Sequence, residues 1–379
     1  MCRICLKNKL NDILRKLVFI IFKPLTVRDN VIVFNNFNGL GFGDNQKNIY
    51  EYLYSKKKDS LVYVWLVNHY IDDIPSNVIQ IKRNSFHEIF YLSVAKIWVS
   101  NCRIYGYTSK KKNQIYFQTW HASYALKKVE QEAKNTLTKE YLYYAMKDAK
   151  MCDYILSNSR LQTCDFKKNF WLNQNTNIIE LGYPRNDILI NCNHEKILEA
   201  KANLGLDKNK KYILYAPTFR DNYEYDYNQI NFDYIIKYLN DSTNDYWGVI
   251  VKLHPNCSSV DFSEDIIDLS NYSNIQDLLC ISDLLISDYS TCTLDYSLRG
   301  KPIILFIPDL GYYSNDRGLK DEYYKLPFAR AYDNSDIIEK IKNINEEYTK
   351  YDLSFYGSFD DGLATERVCD FILKQIYCR

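Results

Sequence analysis

From Val31 onward the chain repeats one pattern: a short, continuous apolar run rich in β-branched and aromatic residues, followed by polar or helical sequence. Strands that are apolar along their whole length are buried on both faces, which is the condition of a parallel sheet covered by helices. The first predicted series is Val31 to Phe37, Leu61 to Asn68, Val78 to Lys82, Lys96 to Asn101, Ile115 to Trp120, Tyr154 to Asn158 and Ile178 to Leu181. The second is Tyr212 to Ala216, Gly248 to Leu253, Leu284 to Ser287, Pro302 to Ile307 and Ala329 to Tyr332. Strands alternating with helical patterns give an α/β fold class, and two series give two Rossmann-like domains. A length of 379 residues suits two domains. The break is expected near Asn191 to Asp207, where a polar segment and a Leu204-Gly205-Leu206-Asp207 helix stop precede a new strand. The expected domains are an N-terminal basic segment over 1–28, a first domain over 29–192 and a second over 193–379, whose final helix is able to pack back on the first. Open α/β sheets bind ligands beyond the carboxyl ends of their strands, so the site is expected in an interdomain cleft.

Charge narrows the partners. Lys plus Arg number 48 and Asp plus Glu 47, so no global basic field attracts nucleic acid and a charged ligand must be met locally. The apolar run Leu17 to Phe22 is far short of the roughly 18 to 20 residues of a membrane span, and no small-residue cleavage site follows it. A basic amphipathic helix over about Leu6 to Phe22 either rests on an anionic membrane surface or packs on the body of the protein. The 11 cysteines are odd in number and irregular in spacing, as expected of reduced thiols in a cytoplasm. Cys2 and Cys5 form a C-x-x-C with no second pair or histidine nearby, so no metal is expected there.

The distinctive segments each follow a predicted strand. Gln118 to Lys128 brings His121 and then Lys127 and Lys128 to a strand end, where imidazole, with a pKa near ~6.5, can accept a hydroxyl proton and the lysines meet an anion. Lys252-Leu253-His254-Pro255 puts a second histidine at the equivalent place, with Pro255 ending the strand. Either histidine alone also reads as structural. Tyr215 to Arg220 delivers Thr218 and Arg220, a hydroxyl and a guanidinium suited to phosphate. Leu284 to Asp295 is a strand, a hydroxyl-rich turn and a helix that can hold a diphosphate, in which Ser290 and Thr291 also read as ordinary N-caps, a compatible role, and Asp295 is placed for ribose hydroxyls. Arg317 in Asp316-Arg317-Gly318 either reaches substrate or forms a surface pair. The Gly39 to Asn45 turn lacks the complete G-x-G-x-x-G spacing, so a nicotinamide cofactor is rejected.

Taken in order, these segments resemble the CDP-glycerol glycerophosphotransferase family of teichoic acid and capsule enzymes. The resemblance rests on Phe34 to Asn45, Gln118 to Lys128, Leu181-Gly182-Tyr183-Pro184-Arg185-Asn186-Asp187, Tyr215 to Arg220, and Lys252 to Pro255. It continues through the turn from Asp288, Lys301-Pro302, Arg317-Gly318 and Asp361 to Arg367. It implies a GT-B fold and transfer of glycerol phosphate or ribitol phosphate from a CDP-alditol to a lipid-linked or polymeric glycan acceptor, with release of CMP. It implies an enzyme at the inner face of the cell membrane, with His121 and His254 as its functional histidines. Thr218, Arg220, Lys252, Asp288, Ser290, Thr291, Asp295 and Arg317 are expected on the donor, and Asn45, Lys127 and Lys128 on the acceptor side. No metal or other cofactor is expected, since no Asp-x-Asp occurs. Tyr124 stands where the family's form has glycine and is expected to add bulk beside His121. The alternatives are a GT-B glycosyltransferase using a nucleotide sugar and a catalytically silent membrane-associated scaffold.

Overall fold

A computed structural model describes residues 3–57, 60–104, 108–220, 223–254, 257, 260–343 and 351–377, with side chains from residue 13 onward. Cys2 and Pro255, and with them the expectations for the C-x-x-C pair and the strand-ending proline, lie outside the described residues. The chain divides into two compact units, one of residues 1–121, 129–187 and 358–379, the other of 122–128 and 188–357. The crossing falls between Asp187 and Ile188, earlier than the polar segment expected from sequence. Asp187 explains this: its carboxylate accepts from the amides of Ala364 and Thr365 at 3.0 and 2.7 Å, capping the helix Ala364–Tyr377 within the first unit. Such a cap is worth about 1 kcal/mol.

The first unit is built on a parallel sheet of β1 (Arg28–Asn35), β2 (Val62–Val67), β3 (Ile79–Lys82), β4 (Ala95–Ser100), β5 (Ile115–Gln118), β6 (Tyr154–Ser157) and β7 (Asn177–Glu180), in the order β3-β2-β1-β4-β5-β6-β7. β1 shows why these strands form: its first three residues are exposed and the following Val-Ile-Val-Phe-Asn is buried, with Val33 in register with Val64 on one side and Trp98 on the other. Helices α1 (Arg3–Phe22), α2 (Asp44–Lys57) and α3 (Phe86–Val94) belong to this unit, α2 burying Ile49 and Leu53 and α3 burying Ile89 and Leu92. Ser85 caps α3 by accepting from the Glu88 amide. Val368, Cys369, Ile372 and Ile376 of the C-terminal helix complete the core of this unit beside Ile49, Leu53 and Trp65.

The second unit repeats the arrangement with β8 (Lys211–Tyr215), β9 (Trp247–Val251), β10 (Ile266–Asp268), β11 (Leu284–Ser287), β12 (Ile303–Phe306) and β13 (Ala329–Ala331), all parallel, in the order β10-β9-β8-β11-β12-β13. β10 is absent from the sequence expectation, because three residues flanked by acidic ones carry too little pattern to read. Reduced thiols throughout is corrected at one pair: Cys192 and Cys280 are joined in a disulfide, although 88 residues separate them.

In each sheet the strand order reverses once, between β1 and β4 and between β8 and β11. Strand connections diverge there, leaving a crevice at the carboxyl ends. The loops after β1, β8 and β11 beside these crevices carry three of the segments singled out in the sequence, and the two histidine segments follow the next strands outward, β5 and β9.

Candidate active site

In the first unit the crevice is lined by amides. Asn35 donates to the Ser100 hydroxyl at 2.9 Å, Asn101 donates to Asn36 at 2.9 Å, and the Phe37 amide donates to Asn101 at 2.8 Å. Asp44, Asn45 and Gln46 are buried in succession at the head of α2, where a core would place apolar side chains. β5 ends at Gln118, whose side chain accepts from the Trp120 amide and helps hold Trp120 in the left-handed region at φ 55°. This turn lays the imidazole of His121 against the Trp120 indole, centroids 4.5 Å apart.

His121 Nδ1 lies 2.8 Å from the main-chain carbonyl of Asn101. A carbonyl only accepts, so Nδ1 carries the proton and Nε2 keeps its lone pair. Burial pushes the pKa of the ring below its usual value, against the pull of the Asn101 carbonyl and the Asp44 carboxylate. The result is a neutral imidazole with one basic nitrogen at neutral pH, the form a general base needs. Asn45 is corrected: rather than facing an acceptor it is fully buried, taking the Arg185 amide at 3.1 Å and donating to the Trp120 carbonyl at 3.4 Å. The sequence reading assigns no role to Asn101, nor to Asp44 and Arg185 within their segments, although the polar run at the head of α2 is a visible signal.

A second buried network stands behind the indole. Arg103 pairs with Asp148 at 3.0 Å and Glu130 at 3.2 Å, and its guanidinium packs on Trp120 and Phe170 at 5.4 and 5.3 Å.

In the second unit the loop after β8 is tied to the loop after β11. Asp288 accepts from the Thr218 amide at 2.9 Å, from the Thr218 hydroxyl and from Arg220 at 2.7 Å. Arg220 donates further to Asp309 at 2.7 Å and to the Thr218 carbonyl, and packs on Tyr225, Tyr289 and Tyr313. Arg220 and Asp288 therefore stiffen the loop from inside, which corrects the direct donor contact expected of them. Thr218 retains partial exposure, but its hydroxyl proton goes to Asp288. Asp295 is corrected as well: it is buried, and its oxygens accept from Ser123 and from Gln276.

Ser290 and Thr291 are half-buried, and the Ser290 hydroxyl accepts from the Cys292 amide at 3.3 Å. His254 is exposed, its ring stacked on Phe219 at 5.8 Å. Lys252 is half-buried with its ammonium on the Ser270 carbonyl, and burial lowers its pKa. Arg317 is exposed at the end of the helix Leu310–Asp316. Residues 126–128 pair with 318–320, through Lys128 to the Gly318 carbonyl and Lys320 to the Leu126 carbonyl, both at 2.9 Å. Glycine is favoured at 318 by its φ of 70°, in the left-handed region. Lys127 is half-buried and Lys128 exposed along this strap. Tyr124 is buried, with the Lys320 ammonium over its ring and its hydroxyl donating to Glu322 at 2.9 Å.

A family model for CDP-glycerol:poly(glycerophosphate) glycerophosphotransferase matches residues 17–374. A teichoic acid poly(glycerol phosphate) polymerase of Bacillus spizizenii is 32% identical over 94% of the chain and 95% of its own length. A polymerase of the same description from Staphylococcus epidermidis is also 32% identical, over 93% of the chain, and here the chain spans about half (52%) of the relative. A solved structure of the wall teichoic acid polymerase TagF superposes with a TM-score of 0.83 at 29% identity, covering 98% of this chain and 96% of that one. A structure of the same polymerase soaked with CDPG superposes at 0.81 and 30% identity, over the same shares of the two chains. The two parallel sheets of this chain are accordingly those of a GT-B-like fold.

Proposed function

The chain belongs to the CDP-glycerol:poly(glycerophosphate) glycerophosphotransferase family, and on that premise we propose that it transfers an alditol phosphate from a CDP-alditol to a hydroxyl of a teichoic-acid-type glycan acceptor, releasing CMP. The observation that carries the reading is the 2.8 Å contact of His121 Nδ1 with the Asn101 carbonyl, which assigns the proton of the neutral ring to Nδ1 and leaves Nε2 basic. An acceptor hydroxyl gives its proton to Nε2 while its oxygen attacks the phosphorus that bears the alditol. The new O–P bond forms as the bond to the bridging oxygen breaks, and CMP leaves with that electron pair. Phosphoryl transfer depends mainly on positioning and charge stabilisation. In this reading His254, Lys252 and Arg317 with the Ser290–Thr291 turn meet the diphosphate, while Lys127 and Lys128 meet an anionic acceptor. The reading needs no metal.

The test is incubation with CDP-glycerol and CDP-ribitol in parallel, with an acceptor analogue, following nucleotide release and product mass. CMP together with a product heavier by one alditol phosphate is expected, with CDP-glycerol favoured because glycerol phosphate is the unit named in the relatives above. Release of a nucleoside diphosphate supports sugar transfer instead and overturns the proposal.

The reading also places the chain at an anionic membrane surface through α1. No helix among the described residues is long and apolar enough to cross a membrane. On α1, Phe19 is buried and Phe22 packs on Phe90 of α3, while Ile13, Leu14, Leu17, Ile20 and Ile21 are each at least half exposed, beside Lys16 and Lys23. An outward apolar stripe flanked by lysines is suited to the boundary between headgroups and acyl chains. Cosedimentation with phosphatidylglycerol vesicles, absent with phosphatidylcholine vesicles and lost in Leu17→Glu/Ile21→Glu, is the expected outcome. Equal retention of the wild type and the double variant would remove α1 from that role.

A further inference from the structure

Arg185 enters the sequence only as one residue of the Gly182-Tyr183-Pro184-Arg185 segment. In the structure its side chain is buried over the Tyr183 ring, and Nη1 donates both to Asp44 at 3.0 Å and to the main-chain carbonyl of His121 at 2.7 Å. The other oxygen of Asp44 accepts from the Asn101 side chain. The main-chain carbonyl of that same Asn101 receives His121 Nδ1. The contacts thus close on themselves, from the His121 carbonyl through Arg185, Asp44 and Asn101 back to the His121 ring. Asp44 adopts a φ of 56° in this arrangement, an uncommon conformation for a residue with a side chain. Buried ion pairs are often no more stabilising than apolar replacements, so stability alone is a weak reason for this one.

We infer that Arg185 and Asp44 are a positioning pair for His121, fixing its main chain and, through Asn101, its ring, and flanking the imidazole with opposed charges. The inference rests on the reading of His121 as the proton acceptor. The charged groups that face the ring are Asp44 at the head of α2, Arg185 in the turn Pro184–Asn186 and Glu130 in the turn Glu130–Ala133, the last held by Arg103. Asp44 and Glu130 favour the protonated ring and Arg185 opposes it. Loss of either member of the pair therefore shifts the acid limb of the rate profile, in opposite directions. A purely structural pair does not require such opposed shifts.

The experiment measures kcat and donor KM by CMP release from CDP-glycerol, between about pH 5 and 9, for Arg185→Met, Arg185→Lys and Asp44→Asn. Misplacing a reacting group by an ångström costs on the order of 100-fold in rate. Arg185→Met is expected to lose roughly 100-fold in kcat with donor KM within about threefold, and its acid limb moves to higher pH. Asp44→Asn moves the limb to lower pH, and Arg185→Lys recovers part of kcat with the limb near its original place. Limbs that stay at the wild-type position, or a loss confined to KM, overturn the inference. Thermal melts accompany the kinetics, and the isosteric Asp44→Asn carries the comparison where Arg185→Met does not fold. His121→Asn separates the two levels of the argument. Full activity in that variant defeats the reading of His121 as the proton acceptor, and absence of CMP release in the wild type defeats the proposed function, whereas an inactive His121→Asn beside unmoved limbs defeats the positioning pair alone.

Discussion

Replacing His121 with asparagine is expected to lower kcat for CMP release by roughly 10²- to 10⁴-fold, the contribution of a positioned general base. Asparagine still presents an amide donor toward the Asn101 carbonyl and a flat group toward Trp120, so the fold loses little. What disappears is the basic nitrogen at the position of Nε2. Donor KM should stay within a few-fold, because the groups assigned to the donor follow β9, β11 and β12. The wild-type profile adds a second check. Burial lowers the His121 pKa, so the ring remains neutral, and activity remains full, down to a pH below the ~6.5 of an ordinary imidazole. An acid limb well above ~6.5 contradicts the assignment, as does a His121→Asn variant that keeps its rate.

Arg220→Met is expected to act on stability. The substitution leaves Asp288 and Asp309 facing each other's surroundings without the cation that joins them. Breaking a buried pair by removing one partner costs about 3–5 kcal/mol, a large share of the 5–15 kcal/mol that holds a typical protein together. The thermal midpoint should fall by roughly 6–20 °C for a unit of this size. Acid sensitivity changes with it. Burial works to raise the Asp309 pKa, but hydrogen bonds from Arg220 and Tyr223 outweigh it and hold the carboxylate below its usual range. A carboxyl depressed on folding stabilises the protein above its unfolded pKa of ~3.9 and loses that contribution as pH falls through the folded value. Arg220→Met should lack this contribution. A variant with an unchanged melt and a large rise in donor KM would instead return Arg220 to the phosphate contact that its sequence context suggests. Differential scanning calorimetry at neutral and acid pH, together with donor KM from CMP release, distinguishes these outcomes.

The strands were legible because a parallel strand buried on both faces advertises itself as an uninterrupted apolar run, as in Val-Ile-Val-Phe of β1 or Leu-Leu-Ile-Ser of β11. The ends of those strands also located the reactive segments, since chemistry on an open sheet concentrates there. Which way a polar side chain turns was not legible. Arg220, Asp295 and Asn45 each read as ligand-facing, yet each is held by a partner far along the chain: Asp309 at 89 residues, Ser123 at 172 and Arg185 at 140. Local spacing holds no record of such pairings, and the Cys192–Cys280 bridge escaped notice for the same reason. Arg185 illustrates the converse. Its motif assigns it no partner, whereas in the fold one of its nitrogens donates to both Asp44 and the His121 carbonyl.

The interleaved membership of the two units also bears on biosynthesis. Residues 358–379 belong to the first unit and supply Val368, Cys369 and Ile372 to its interior. A ribosome emits that helix only after the whole second unit has been translated. The interior of the first unit is therefore completed last, and a nascent first unit that folds earlier does so with that apolar trough uncovered.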